Sequence, residues 1–147
     1  MAIPSEHSEQ VELVRRLRRS GVLFCAVPNG GKRAGVEAAK LVKEGVSAGV
    51  PDLLVFDGPG GAVLTAYERD LVEGLRGLSL ARRRAVASAA GIAAGVGLEM
   101  KRDGAGTVSA KQETWLGALA ERGWDTMVGW GWRDALAKLR KGGYDVR

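Results

Sequence analysis

Two short apolar runs, each stopped by a glycine-rich turn, constrain this chain more than any other feature. Residues 23–27 (LFCAV) end at Pro28-Asn29-Gly30-Gly31, and residues 53–56 (LLVF) end at Asp57-Gly58-Pro59-Gly60-Gly61. Apolar runs of that length between turn signals read as buried strands, the first of them suited to a central position. Elsewhere the apolar spacing changes to three and four, as an amphipathic helix requires. Gln10, Leu13, Val14 and Leu17 recur this way in a segment that opens after Pro4-Ser5 and ends before Gly21. Residues 35–44 are helical by composition, and residues 133–141 read as a last helix. Leu64, Tyr67, Leu71, Leu75 and Leu78, followed by an alanine-rich stretch, predict two helices between about 62 and 94. Residues 97–101 (GLEMK) alternate apolar and charged side chains as a half-buried strand does. Ser109 and Gln112 fit a capping box opening a helix whose apolar face holds Trp115, Leu116 and Leu119. Val128 among Trp124, Trp130 and Trp132 suggests a final strand. Strands that alternate with helices in this order predict an α/β fold with a mixed sheet.

The 147 residues suffice for a single domain with a core, spanning 1–147. Lys and Arg exceed Asp and Glu by 22 to 17, a balance of +5 that leans toward a polyanionic partner. Hydrophobic residues at 46% exclude a disordered chain, and one cysteine excludes a disulfide framework, so a reducing, cytoplasmic setting is expected. One Cys and one His cannot build a structural zinc site, so any metal must be held by carboxylates. No apolar run approaches the ~20 residues that span a bilayer, and the first ten residues lack a signal pattern, so no membrane association is expected.

Three groups of residues ask for more than packing. Glu6 and Gln10 share the helical stripe that becomes Leu13 and Leu17, so a carboxylate points toward the core. Either it has a partner there or it merely complements the helix dipole in the first turn; Glu9 lies close to the same face. Asp52 opens one strand, and Glu99 and Lys101 project from one face of another. Two acids and a lysine at one sheet edge can hold a hard divalent cation beside a phosphate or water, while a turn aspartate and a surface ion pair would look the same in sequence. Gln112 sits on the apolar stripe of its helix, where an amide is costly unless bonded; the capping box accounts for part of that. The glycine-rich loop at 28–32 does not complete a Walker motif. His7 reads as solvated, Cys25 and the tryptophans as core, and Arg82-Arg83-Arg84 as either a solvated face or a phosphate contact.

Taken in order, Ser5-Glu6-His7-Ser8-Glu9-Gln10, Val27-Pro28-Asn29-Gly30-Gly31, Gly49-Val50-Pro51-Asp52-Leu53, Gly97-Leu98-Glu99-Met100-Lys101 and Ser109-x-x-Gln112-x-x-Trp115-Leu116 resemble the VRR-NUC branch of the PD-(D/E)XK nucleases. The resemblance implies a restriction-endonuclease-like (PD-(D/E)XK) core, a mixed central sheet flanked by helices, with Mg²⁺ or Mn²⁺ at one sheet edge. Asp52 and Glu99 match its metal-binding acids, Lys101 the lysine that positions or activates the attacking water, and Gln112 its helix glutamine. Glu6 matches the first-helix acid and metal ligand, with Glu9 the fallback. The helical insertion at about 62–94, between the two catalytic strands, departs from the short hairpin of the family. Asn29, Lys32, Arg33, Arg82, Arg83, Arg84 and Arg102 are the candidate DNA contacts. The expected activity is metal-dependent hydrolysis of DNA, structure-selective on branched substrates such as four-way junctions, by a homodimer in a bacterial or phage-infected cell. A site-specific endonuclease of restriction or homing type would instead leave one band pattern on mixed DNA. A non-catalytic DNA-binding module would show no metal dependence.

Overall fold

A computed structural model describes residues 4–28, 35–57, 82 and 93–147. Helix α1 (Glu6–Arg19) is followed by strand β1 (Phe24–Ala26), helix α2 (Gly35–Lys43) and strand β2 (Leu53–Val55). Strand β3 (Val96–Lys101), helix α3 (Ala110–Ala120), strand β4 (Asp125–Trp130) and helix α4 (Gly131–Lys141) complete the described chain. The described strands form one sheet in the order β1-β2-β3-β4, antiparallel in its first two pairings and parallel between β3 and β4. The fold is therefore α/β with a mixed sheet, as the alternation of periodicities required. The expected insertion at 62–94 falls almost wholly outside the described residues; Arg82 is helical and exposed.

Helix α1 starts where Ser5 accepts a hydrogen bond from the Ser8 N–H at 3.1 Å, a polar cap on an orphan donor. It ends with Arg16, Arg18 and Arg19 in its last turn, cations suited to the negative end of the dipole. Its stripe of Glu9, Leu13 and Leu17 is buried. Leu13 and Leu17 join Leu53, Val55, Val96, Leu98 and Met100 from the sheet and Ala135, Leu136 and Leu139 from α4 in one apolar core. Each of the Leu, Val and Met side chains contributes ~1.5–3 kcal/mol by leaving water.

Strand β3 has two faces with different tasks. Val96, Leu98 and Met100 point into the core beneath α1 and α4, since successive side chains alternate across a strand. Gly97, Glu99 and Lys101 point to the opposite face, which α3 covers. A methyl group added at Gly97 would lie 2.7 Å from Leu119 Cδ1, so the missing side chain lets α3 approach the sheet.

The expectation of a half-buried strand at 97–101 is corrected: all six residues of β3 are buried. The alternation was real, but a second helical layer lies over the charged side. The central position expected for 23–27 is also corrected. Strand β1 is at an edge of the described sheet, because it pairs with β2 alone among the described residues, and Cys25 is exposed rather than core. Trp115, Leu116 and Leu119 are half-buried, as are the other tryptophans, so α3 packs as a thin cover with no fully buried residue.

Helix α4 follows β4 without an intervening loop, and Trp130 at its N-cap offers no capping side chain. Glu9 supplies the cap from α1: its Oε2 accepts the Trp132 N–H at 2.8 Å. Gly131 makes room for this. Its φ is +80°, and a methyl group there would stand 3.1 Å from the Glu9 oxygen.

Candidate active site

The β2–β3 register brings the first acid to the second. Leu53 pairs with Leu98, and continuing that register by one residue sets Asp52 across from Glu99, on the face under α3. Asp52 is half-buried, and its Oδ2 accepts the Met100 N–H at 2.8 Å, so a side chain extends the ladder where β2 stops. The loop leading into Asp52 is held against α3. At Gly49, φ is +90° and an added methyl would fall 2.6 Å from the Lys111 carbonyl carbon, so only glycine fits.

Glu99 is 1% exposed. One of its oxygens, Oε1, accepts from Lys101 Nζ at 2.5 Å and also from Gln112 Nε2. The other, Oε2, is buried and has no hydrogen-bond partner among the described residues. Burial pushes the Glu99 carboxyl above the usual carboxylate range. The Lys101 hydrogen bond and charge pull it back, while the charges of Asp52 and Glu6 push it up further. A buried ion pair with a leftover polar atom is a poor way to stabilise a fold, since desolvation offsets most of the attraction. The arrangement leaves one buried carboxylate oxygen able to accept from, or bind, a further group.

Gln112 serves two tasks at once. Its backbone N–H donates to Ser109 Oγ at 3.3 Å, and its side-chain Oε1 accepts the Ser109 N–H at 2.8 Å, closing the capping box. With the carbonyl end committed to an N–H, the amide nitrogen is the end that reaches Glu99. The structural and site readings of this glutamine are therefore compatible.

The two acids of α1 separate. Glu9 is buried and bound to the start of α4, whereas Glu6 is exposed and is among the charges acting on Glu99. The structure thus brings Asp52, Glu99, Lys101 and Gln112 together, with Glu6 at their margin. Arg102 is exposed immediately beyond Lys101. Arg82 is exposed at a helical position, while Asn29, Lys32, Arg33, Arg83 and Arg84 lie outside the described residues. Two participants were not singled out from sequence. Gly49 seats the Asp52 loop, and Lys111, exposed and next in the chain to Gln112, supplies the backbone that loop packs against. A glycine before Val-Pro-Asp was the available signal for the first; a lone lysine offers none.

The donor set fits a hard divalent cation: two carboxylates, one with a buried unpartnered oxygen, and no competing soft ligand. Among the described residues no three of His, Cys, Asp and Glu gather closely enough to hold an ion unaided. Mg²⁺ commonly takes one or two carboxylates and fills the remaining positions with water and substrate phosphate oxygens.

The fold and this cluster define a class: a mixed α/β sheet carrying two acids and a lysine at the junction of two antiparallel strands. No family model matches the chain, and no curated protein matches its sequence. The fold has a match among solved structures. A structure described as "VRR_NUC domain protein" aligns with a TM-score of 0.62 over 99% of this chain and 96% of that one, at 18% identity. The likeness establishes a shared fold across nearly the whole length of both chains. No helix among the described residues is long and apolar enough to cross a membrane.

Proposed function

We propose that this chain is a metal-dependent DNA endonuclease of the VRR-NUC branch of the PD-(D/E)XK nucleases, with Asp52, Glu99, Lys101 and Gln112 as its site. The observation that carries the reading is the convergence of these four residues around a carboxylate that keeps one buried oxygen free. The fold shared with a protein described as a VRR_NUC domain protein supports it.

Asp52 and Glu99 are the residues that would hold Mg²⁺ or Mn²⁺, with Glu6 adding negative charge from the margin. When bound, such an ion supplies Lewis-acid polarisation of the scissile phosphate and lowers the pKa of water. The remaining work belongs to the chain. Lys101 is pinned by Glu99 at 2.5 Å, so its ammonium is a fixed cation beside the carboxylates. There it orients a water and offsets the negative charge that grows on the phosphoryl oxygens as the water oxygen bonds to phosphorus and the ester bond breaks. Gln112 and the Met100 N–H hold the two carboxylates in place, so little reorganisation is needed at the moment of reaction. Arg102 and Lys111, exposed and next in the chain to Lys101 and Gln112, are candidates for phosphate contacts. Structure-selective cutting of branched DNA by a homodimer is the finer form of this reading, and it stands on the family resemblance.

Cleavage of end-labelled four-way junction, flap, single-stranded and linear duplex DNA of one sequence, with Mg²⁺, Mn²⁺ or EDTA, tests it beside Asp52→Asn. Metal-dependent cutting that favours the junction and disappears in the variant is the expected result. Cutting that survives EDTA or the substitution overturns the site assignment, and equal cutting of all duplex forms overturns the structure selectivity.

A further inference from the structure

We infer that Ser109 is a positioning residue for this site: its capping box fixes which end of the Gln112 amide faces Glu99, and thereby which Glu99 oxygen is left free. The kinetic part of this inference rests on the nuclease reading above.

A glutamine side chain has an acceptor end and a donor end of nearly identical shape, and free rotation about its last torsion exchanges them. If the carbonyl faced Glu99, two oxygens would oppose each other in a buried setting, and Glu99 would lose a donor. The capping box prevents this. Ser109 Oγ holds the Gln112 backbone N–H at 3.3 Å, which anchors the first turn of α3, and the Ser109 N–H holds Gln112 Oε1 at 2.8 Å. With the carbonyl engaged, Nε2 must point to Glu99, and it donates to Oε1, the oxygen that Lys101 also holds. Both donors fall on one oxygen, so Oε2 remains unpartnered. A helix cap, usually a matter of stability alone, here selects the polarity of a site residue. Sequence spacing permits the arrangement, because the third helical residue is the one a capping box recruits, and in this chain it also faces β3.

Five variants separate positioning from mere helix stability. Ser109→Ala removes the hydroxyl but keeps the N–H. Ser109→Pro removes both, and the φ of −78° at this position already suits proline. Ser109→Thr retains both. Gln112→Glu keeps the box, since glutamate serves equally as its acceptor, but replaces the donor to Glu99 with a like charge. Ala118→Gly in the middle of α3 is the control for weakening the helix without touching the box.

The readouts are the Gln112 side-chain amide signals in ¹⁵N-labelled protein without metal, the melting temperature, and kcat with KM on the cleaved DNA. The wild-type amide signals should be protected from exchange and displaced from free-glutamine positions. They should move partway toward those positions in Ser109→Ala and fully in Ser109→Pro, and be restored in Ser109→Thr. The value of kcat should fall about tenfold in Ser109→Ala, with KM little changed, which corresponds to ~1.4 kcal/mol at the transition state. Gln112→Glu should lose cleavage although it keeps the capping box, and should melt lower than wild type because two carboxylates then oppose each other at buried Glu99. Ala118→Gly should melt lower yet keep its amide signals and kcat. Amide signals that do not move in Ser109→Pro overturn the inference whether or not the protein cuts DNA. So does a Gln112→Glu protein that cleaves at the wild-type rate. Failure of the nuclease reading would show instead as no cleavage by wild type, with the amide signals still responding to Ser109.

Discussion

Glu9 and Glu99 are both buried acids, 5% and 1% exposed, yet their surroundings differ in kind. Glu9 sits at the positive end of α4 and accepts the Trp132 N–H, which that helix cannot satisfy with a cap of its own. Glu99 has two donors on one oxygen, none on the other, and two further carboxylates acting on it. One acid closes an account in the fold, while the other leaves binding capacity unused. Burial of a charge alone therefore does not single out a candidate site; a buried oxygen left without a partner does.

The sharpest way to break this contrast is at the site. Asp52→Asn and Glu99→Gln should each lower cleavage on the order of 10³-fold while the protein stays folded, measured by single-turnover cutting beside circular dichroism. Glu9→Ala should do the reverse, lowering stability by ~1.5–3 kcal/mol in urea unfolding because a buried helix end loses a charged acceptor. Residual cleavage per folded molecule should remain high in that variant. Loss of cleavage in Glu9→Ala at full stability would dissolve the distinction between the two acids.

Gly49→Ala should cost about 1–3 kcal/mol, since φ of +90° and the Lys111 backbone leave no place for the methyl group. Because the same loop carries Asp52, cleavage should fall along with the melting temperature.

The pH dependence gives a smaller effect with a definite sign. Glu99 is raised in the folded protein, chiefly by burial, so its contribution to stability is present below the ordinary carboxylate pKa and is lost as pH rises through the folded value. Glu99→Gln lacks that loss. Its melting temperature should therefore rise relative to wild type as pH increases from about 4 toward neutrality, an ordinary carboxyl titrating near ~4.3. A difference that stays constant with pH would place the Glu99 charge in an unstrained environment.

Glu12, half-buried on α1, is the opposite and mildest case. Hydrogen bonds from Arg15 and Arg16 hold its carboxyl down at about 2. Stability from it is present above the ordinary carboxylate range and fades as pH falls toward that value. Glu12→Gln should melt slightly lower than wild type near pH 5 in low salt. The gap should close at acid pH and in high salt, where exposed pairs are screened.

Local patterns made much of this legible. Leu13 and Leu17 on α1, the β2 run, and Ser109 with Gln112 could be read because each depends on residues within one or two helical turns or strand repeats. The choice between Glu6 and Glu9 was not readable. Both lie near the same helical face, and what separates them is the Trp132 N–H, 123 residues from Glu9 in the chain. The burial of β3 was misread for a related reason: GLEMK declares an apolar face and a charged face, but α3 lies over the charged one. Cys25 reads as core from its apolar neighbours, yet β1 lies at an edge of the described sheet.

The sequence by itself determined the alternation of helix and strand, the mixed α/β class, and the residue types that meet at the site, because periodicity, turns and caps are short-range physics. Tertiary structure alone decided which acid is spent on a helix end and which keeps an oxygen free. Those outcomes depend on desolvation and on donors contributed by distant segments, and neither quantity exists until β2, β3 and α3 are packed together.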